Sequence, residues 1–340
     1  MISRRIALRT ALERAAALTT VAVAATALLG APSLASAQAP SAWPTRPVRL
    51  IVPYAAGGFA DTRARLIAEQ LGKVLGQPVI VDNRGGAGGV TGTDAIAKAT
   101  DGHTFGFGSP GPLVTNPMLM KKMPYDAKTA LQPIILIEEA PLILTTALNQ
   151  PFKNVKELVA FAKAKPGELS FGSSGVGGAH HLSGELLAYQ THTQMTHVPY
   201  KGGALAASDL MGGHLAMMFE MGYSALPSIK ANKINALAVS SKKRLAVLPD
   251  VPTLDEAGIK GFESYNWLGM IAPAGTPKAV ITQLNQAVNK ALKNDAALRE
   301  MIEGSGGMIV GGTPEAYGKF MDAERAKWAP VIKAAHISLD

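Results

Sequence analysis

Three times along the chain, an apolar strand-like run ends in glycines and the chain then continues as a helix-like segment. These junctions lie at residues 50–61, 79–89 and 169–178. The alternation of strand and helix signals from Val48 onward predicts an α/β fold. Each junction can direct unpaired backbone N–H groups and the positive end of a helix dipole to one spot, which suits an anion. Glycines also serve strand–helix turns for conformational reasons alone, so one junction does not identify a site.

The strand and helix signals divide the chain into alternating segments. Strands are predicted at residues 48–52, 79–81, 104–107, 134–137, 142–146, 169–172, 196–200, 216–219, 234–239 and 268–272. Residues 62–75 and 277–292 have apolar side chains at helical spacing. The second of these is predicted to have Thr276 as its N-cap and Pro277 at its first position, and Thr313 is predicted to open the last long helix.

A chain of 340 residues exceeds a single typical core and is expected to form two domains. Two long apolar stretches, 134–148 and 234–241, are candidate crossings between them. We therefore predict domain 1 at residues 44–138 and 240–340 and domain 2 at 139–239. A ligand is expected in the cleft between the two, where closure would bury it.

The N-terminal segment has the pattern of an export signal. Four arginines precede an apolar run at 15–29, and Ala35-Ser-Ala37 supplies a small-residue cleavage site. We assign residues 1–37 as a signal peptide, with Sec and twin-arginine export both open. The chain contains no Cys, so it has no lipid-bearing cysteine and no disulfide. The predicted location is the periplasm, as a freely diffusing protein without a lipid anchor.

Charge and motif content narrow the class of protein. Cleavage removes four Arg and one Glu from a chain of net charge +8, leaving about +5, and this surplus is spread along the chain. We therefore expect no nucleic-acid partner, because that class needs a concentrated basic stripe. No two histidines form the i, i+4 helical pair with a glutamate that would suggest zinc, and thiolate ligands are absent, so we expect no metal and no cofactor. The Gly-x-Gly-x-x-Gly match at 106–111 is discounted, because Pro110, Pro112 and Pro117 are predicted to prevent a helix directly after it.

The Gly-Ser-Ser-Gly motif at 172–175 permits two interpretations. A serine hydrolase built on Ser174 would need glycine two residues away on both sides, and Val176 departs from that pattern. The other interpretation is that Ser173, Ser174 and the following N–H groups donate hydrogen bonds to a bound oxyanion. Similarly, Lys201 is either a solvated turn residue or faces a second anionic group. Asp61 is either an ordinary first-turn acid or a residue that fixes the first junction.

Several motifs, taken in order, resemble the Bug/TctC family of extracytoplasmic solute receptors for tripartite tricarboxylate transporters. They are Pro-Val-Arg-Leu-Ile-Val-Pro-Tyr-Ala-Ala-Gly-Gly at 47–58, Leu-Gly-Gln-Pro-Val-Ile-Val-Asp-Asn-Arg-Gly-Gly-Ala-Gly-Gly at 75–89, Val-Pro-Tyr-Lys-Gly-Gly at 198–203, Leu-Pro-Asp-Val-Pro-Thr-Leu-Asp-Glu-Ala-Gly at 248–258 and Pro-Ala-Gly-Thr-Pro at 273–277. The resemblance implies a two-domain periplasmic binding-protein fold of type II, which closes like a Venus flytrap on a small organic acid. It also implies a binding protein rather than an enzyme.

The resemblance further implies that backbone groups and bridging waters hold the carboxylate. By position they come from two segments, which we call the first loop (residues 54–61) and the second loop (residues 172–181). The expected ligand-binding residues are Tyr54, Ala56, Gly57, Gly58, Phe59, Asp61, Ser173, Ser174, Gly175, Gly177, His180, Lys201, Gly202 and Glu220. Ala56 replaces the family's usual proline and Phe59 follows, which either hints at an aromatic ligand or is a tolerated substitution.

The sequence therefore predicts a monomeric receptor for a di- or tricarboxylate or an aromatic acid. Its expected partners are that acid and, transiently, the permease subunits of a tripartite tricarboxylate transporter. A sensor component that presents its ligand to a membrane kinase is the alternative. The motifs leave the identity of the acid open, because backbone and water contacts carry little side-chain code.

Overall fold

In the computed structural model, which describes residues 43–339, ten strands join into one hydrogen-bonded sheet with the central order β2-β1-β3-β9-β4-β7-β5-β6. The strands are β1 (Val48–Val52), β2 (Val79–Asn83), β3 (Thr104–Gly108), β4 (Leu131–Thr146), β5 (Ser170–Ser173), β6 (Thr196–Pro199), β7 (Met217–Met221), β8 (Asn235–Val239), β9 (Tyr265–Pro273) and β10 (Met308–Gly311). β8 and β10 both pair with β4 beside the main path. The predicted signal peptide lies outside the described residues.

The helices follow the strands in alternation. They are α1 (Phe59–Leu75), α2 (Val90–Ala97), α3 (Asn116–Leu119), α4 (Val155–Ala164), α5 (Ala179–Thr191), α6 (Gly203–Met211), α7 (Gly222–Lys230), α8 (Lys278–Asn294), α9 (Ala296–Gly304) and α10 (Pro314–Ala334), with short turns of 3₁₀ helix at 87–89 and π helix at 111–115. The predicted α/β class is confirmed. None of the helices among residues 43–339 has the length and apolar content needed to cross a membrane.

The 16-residue strand β4 organises the sheet. Its first part, residues 131–141, pairs with β9, and β10 runs along 136–139. Its second part, residues 142–146, lies between β7 and β8. One strand thus connects a first strand group (β1, β2, β3, β9 and β10) to a second (β5, β6, β7 and β8). The domain boundaries at 139 and 240 stay a prediction.

The sequence predicted two strands where β4 is one. The acidic pair Glu138 and Glu139 interrupts the apolar run, which explains the error. In the fold, Glu138 is fully buried and accepts a hydrogen bond from Arg63 Nε of α1 at 2.8 Å. A charged residue can therefore occupy a central strand here because α1 supplies its partner.

Two helix starts and one strand also test the sequence predictions. Thr313 caps α10 as predicted, since its hydroxyl accepts from the N–H of Ala316 at 3.2 Å. The prediction for Thr276 is wrong: Pro277 is the N-cap of α8, and Thr276 donates instead to the carbonyl of Pro273. β10 has only four residues and was not predicted, because its short run has no strong strand signal.

Parallel strands position the glycine junctions. β1 runs parallel to β2 and β3, and β5 runs parallel to β6 and β7. Ligands of open α/β sheets bind beyond the carboxyl ends of such strands. The first loop follows β1 and leads into α1, and the second loop follows β5 and leads into α5. Both helices therefore begin at the carboxyl edge of their own strand group.

Candidate ligand-binding site

A cavity of about 670 Å³ lies where the first and second loops meet. This volume falls within the roughly 300–1,000 Å³ of ordinary small-molecule sites. Its lining residues are Tyr54, Ala55, Ala56, Gly58, Phe59 and Ala60; Ala87 and Gly88; Ser109, Pro110, Gly111, Asn116 and Met120; Ser174, Gly175, Val176, Gly177, Gly178, Ala179 and His180; Met221; Asn266, Trp267 and Leu268; and Leu339. Both strand groups contribute to it.

The first loop is held by a carboxylate. Asp61 is buried, and its Oδ2 accepts from the N–H of Gly57 at 2.8 Å and from Arg65 Nε at 2.9 Å. The hydrogen bond from Arg65 is the main reason that the pKa of Asp61 is held below its usual value. Gly57 has a φ of +79°, which favours glycine. Gly58 is then the N-cap of α1 and no side chain caps this helix, whose first residues Phe59 and Ala60 line the cavity.

The second loop also leads into a helix N-terminus without a side-chain cap, but different residues shape its turn. Gly178 is the N-cap of α5, again without a side-chain cap. Gly175 and Gly177 have φ values of +137° and +77°, so the loop turns where side chains are disfavoured. Ser174 Oγ lies 2.9 Å from His180 Nδ1, and both residues line the cavity. Burial lowers the pKa of His180 to about 4, so its imidazole is neutral at pH 7.

A group of stacked rings supports the second loop from behind. The imidazoles of His181 and His197 stack with 3.6 Å between centroids, and Phe171 stacks on His197 at 5.0 Å. His181 Nδ1 accepts from the N–H of Gly177 at 3.0 Å, and His197 Nε2 lies 2.6 Å from Ser173 Oγ. Burial and the neighbouring His181 lower the pKa of His197 to about 4. Stacked imidazole rings therefore hold this loop in place.

The fourteen expected ligand-binding residues fall into two sets. Lining the cavity are Tyr54, Ala56, Gly58, Phe59, Ser174, Gly175, Gly177 and His180. Outside its lining are Gly57, Asp61 and Ser173, which shape the two loops, and Lys201, Gly202 and Glu220. Lys201 is exposed at the turn before α6, and Gly202 is the N-cap of that helix.

Glu220 is almost fully buried in β7, and the cavity lining does not include it. Its Oε1 atom has no hydrogen-bond partner among residues 43–339. Burial raises the pKa of Glu220 to about 7. The side chain is therefore a buried acid whose ionised form is costly.

Several lining residues were not expected from the sequence. The segment after β3 supplies Ser109, whose hydroxyl lies 2.5 Å from the hydroxyl of Tyr54. Its signal was available, because β3 runs parallel to β1 and ends in Gly-Ser-Pro-Gly. The expectation that Pro110, Pro112 and Pro117 prevent a helix was wrong. Helical structure begins at Pro110, because proline is tolerated in the first turn of a helix.

The junction at 79–89 also reaches the cavity, through Ala87 and Gly88. More distant contributions come from Met221 at the end of β7, from β9 and from Leu339 near the C-terminal end. Nothing local in the sequence marks these residues. Met221 and the β9 residues reach the cavity through the pairing of β4 with β7 and β9, and Leu339 reaches it where its N–H donates to the carbonyl of Leu119.

Comparisons with known proteins agree with this architecture. Residues 63–337 match the family model described as the tripartite tricarboxylate transporter family receptor, TctC. The chain belongs to this family. The solved structure of R. palustris Rpa4515 with adipate is 37% identical, with a TM-score of 0.77, over 87% of this chain and 99% of that one. The periplasmic binding protein BugD is 36% identical, with a TM-score of 0.74, over 87% and 99%.

A third relative has a different ligand. MatC from Rhodopseudomonas palustris with bound malate is 31% identical, with a TM-score of 0.74, over 85% of this chain and 100% of that one. The match over nearly the whole length of these structures confirms the expected Bug/TctC membership and the periplasmic binding-protein fold. TctC-family members are binding receptors and not enzymes.

The hydrolase interpretation of Ser174 can now be judged on geometry. Ser174 and His180 are within hydrogen-bond distance, as a nucleophile and its base would be. No carboxylate within the described chain forms an ion pair with His180, although such a group normally orients a catalytic imidazole. In this TctC receptor the pair instead adds a polar group to the wall of the cavity.

Charge in the TctC cavity is distributed in an unusual way. Among the lining residues, all within 43–339, none is Lys, Arg, Asp or Glu. Arg63 lies close by, but its Cζ stands over the Phe59 ring at 4.2 Å and its Nε binds Glu138. Arg65 is likewise engaged by Asp61. An anion in the cavity would therefore meet backbone N–H groups and helix dipoles and no charged side chain of the lining.

Proposed function

We propose that this chain is a periplasmic receptor that captures a small organic carboxylate and delivers it to a tripartite tricarboxylate transporter. The observation that carries the proposal is the meeting of two uncapped helix N-termini, those of α1 and α5, at one cavity. Each end offers unpaired N–H donors and a positive dipole, which together suit a carboxylate. The expected contacts are the eight predicted ligand-binding residues that line the cavity.

The relatives support the chemical class of ligand. Rpa4515 was solved with adipate and MatC with malate, and both acids carry carboxylates. The family description supports the transporter partnership. BugD supports a periplasmic location, together with the predicted signal peptide.

The mechanism follows from the placement of the two loops in different strand groups. A carboxylate that contacts both helix N-termini binds best when the groups are close together. Ligand binding therefore shifts the receptor toward a closed state, because only that state makes both sets of contacts. Phe59 and Tyr223 stack across the two groups at 6.0 Å between centroids, and this contact would favour the same state.

The experiment is a thermal-shift and calorimetry screen of the purified mature chain against organic acids. A ligand at 100 times its Kd should stabilise the fold by about 2.7 kcal/mol through mass action. Absence of both a shift and a heat signal across mono-, di- and tricarboxylates would contradict the proposal. Native mass spectrometry of protein purified without refolding should also reveal a co-purified acid.

A separate test addresses delivery. Uptake of the identified acid by cells should require both this chain and its cognate permease. Uptake that persists after deletion of the receptor, with loss of an acid-dependent transcriptional response instead, would favour the sensor alternative.

A further inference from the structure

The two strand groups touch through a pair of aromatic rings at the edge of the cavity. Phe59, the first residue of α1, lines the cavity, and its ring stacks on that of Tyr223 with 6.0 Å between centroids and 25° between planes. Tyr223 is the second residue of α7, which lies between β7 and β8 of the second strand group, and it does not line the cavity. Because stacked rings attract each other beyond the area they bury, this pair draws the two groups together.

The Phe59 ring is fixed within its own strand group. Arg63 lies one helical turn further along α1, and its Cζ stands 4.2 Å from the centroid of the Phe59 ring, which is a cation–π contact. Arg63 is itself buried. Its Nε donates to Glu138 of β4 at 2.8 Å, and its Nη2 donates to Ser305 Oγ at 3.0 Å. The first strand group therefore presents Phe59 in one place, whether or not Tyr223 touches it.

Tyr223 reaches this ring because α7 begins in close contact with the first strand group. Gly222 is the first residue of α7, and a Cβ on it would collide with the carbonyl oxygen of Ser305, which follows α9. The absence of a side chain at Gly222 allows this approach. Tyr223 itself is 49% exposed. Its ring can therefore leave the stack without opening a buried core.

We infer that Phe59 and Tyr223 form an aromatic clasp, which Tyr223 closes and which slows the escape of the bound acid. This inference rests on the proposed function and adds to it a positioning residue outside the cavity. An acid enters while the strand groups are apart and the rings are separated. After closure the acid leaves only when the stack breaks, so the clasp lowers the dissociation rate and leaves the association rate unchanged.

Stopped-flow measurement of binding and release tests the clasp. Adipate is the first probe, since the relative Rpa4515 holds it, and malate or the tightest acid of the screen replaces it where adipate does not bind. In Tyr223→Ala we expect dissociation to be about fivefold faster, the size expected for the loss of one aromatic pair, with association unchanged. Tyr223→Phe keeps the ring and should release the acid at the wild-type rate.

Tyr189→Ala is the matched control. Tyr189 is a 45% exposed tyrosine of α5 and has no ring stacked on it among residues 43–339. Its removal should leave both rates unchanged. Equal acceleration of release in Tyr189→Ala and Tyr223→Ala would overturn the clasp, because the effect would then not depend on the stack.

The dependence of Tyr223 on Phe59 can be measured by a double-mutant cycle. In a Phe59→Leu background, Tyr223→Ala should change the dissociation rate by less than about twofold, whereas the effects of two independent residues would multiply. A fivefold effect that persists without the Phe59 ring would overturn the clasp.

Thermal unfolding distinguishes the clasp from ordinary packing. We expect the melting temperatures of wild type and Tyr223→Ala to be similar without ligand, because Tyr223 is half exposed. A lower melting temperature with release at the wild-type rate would make Tyr223 a packing residue and overturn the clasp.

These outcomes also separate the clasp from the proposed function. Binding by the wild type, with release from Tyr223→Ala at the wild-type rate, overturns the clasp and leaves a carboxylate receptor. Absence of binding by every acid in the screen overturns the proposed function, and the clasp with it.

Discussion

The first and second loops present backbone N–H groups in the same way, but different chemistry holds each one. In the first loop the ionised carboxylate of Asp61 fixes the turn through Gly57 and Arg65. In the second loop, two imidazoles and a serine do so, with His181 accepting from the N–H of Gly177 and His197 paired with the hydroxyl of Ser173. The difference shows that an uncapped helix N-terminus can be shaped either by a carboxylate or by imidazole rings. The two loops should therefore respond differently to acid.

The largest expected effect comes from blocking both N-termini. Gly58 and Gly178 have negative φ values, and a Cβ at either would meet its nearest neighbour at 3.5 Å or 3.8 Å, which is ordinary contact. Gly58→Leu and Gly178→Leu should each weaken carboxylate binding by about 100-fold, equal to about 2.7 kcal/mol, because the side chain occupies the anion position. Calorimetry measures this loss, and the fold should be retained.

Gly304→Leu is the matched control, since Gly304 is exposed at the end of α9 with open space around its Cβ position. It should bind as the wild type does. If only one of the two loop variants loses affinity, the ligand contacts a single loop and the comparison between them fails.

The next largest effect is expected from removing the Asp61 carboxylate, which holds the first loop. Asp61→Asn removes the charge that accepts from Gly57 and Arg65, and we expect the free energy of unfolding to fall by about 2 kcal/mol, as for buried hydrogen bonds to charged groups. Chemical denaturation measures it. Arg65→Ala should cost less than Asp61→Asn, because Arg65 is mostly exposed and solvent screens its charge. Equal losses would mean that the ion pair, and not the bond to Gly57, holds the loop.

Acid should weaken the second loop before the first. The pKa values of His180 and His197 are lowered from 6.5 to about 4 in the fold, so their stabilising contribution is complete above pH 6.5 and is lost as the pH falls toward 4. Asp61 has a pKa below its usual 3.8, so its contribution is lost only below about that pH. From pH 7 to pH 5, buried His180 alone should cost on the order of 1–2 kcal/mol.

Glu220 stabilises the fold more as the pH falls, which is opposite to the effect of the histidines. A variant without this carboxylate is therefore needed to measure the histidine effect. Its pKa is raised to about 7 in the fold, so its contribution is present below 4.5 and is lost as the pH rises through 7. Unfolding of Glu220→Gln should therefore depend more steeply on pH between 6.5 and 4.5 than unfolding of the wild type. A flat profile in this variant would show that the imidazoles of the second loop accept protons without cost.

The smallest effect is expected at Ser174. Ser174→Ala removes one neutral hydroxyl from the cavity wall and should weaken carboxylate binding about fivefold, equal to about 1 kcal/mol. Thr62→Ala is a suitable control, because among residues 43–339 the Thr62 hydroxyl bonds to backbone carbonyls and to Arg63, and Thr62 does not line the cavity. Ester hydrolysis by the wild type that disappears in Ser174→Ala would contradict the binding role.

The sequence was most informative where the signal is local. β1, the glycine turns of both loops and the N-cap at Thr313 each depend on a few consecutive residues. It was least informative where partners are distant. The predicted strand ended before Glu138, because the sequence does not show that Arg63, 75 positions away, pairs with this carboxylate. Asn266 and Leu339 reach the cavity for the same non-local reason.

By itself, the sequence determined the α/β class, the family and the two loops that end in helix N-termini, because turns, periodicity and motifs are encoded in neighbouring residues. Only the tertiary structure decided which side chains line the cavity and that no charged group is among them. Those properties depend on how β4 joins two strand groups. They also depend on the ion pairs that hold Arg63 against Glu138 and Arg65 against Asp61. Long-range pairing of this kind leaves no local pattern.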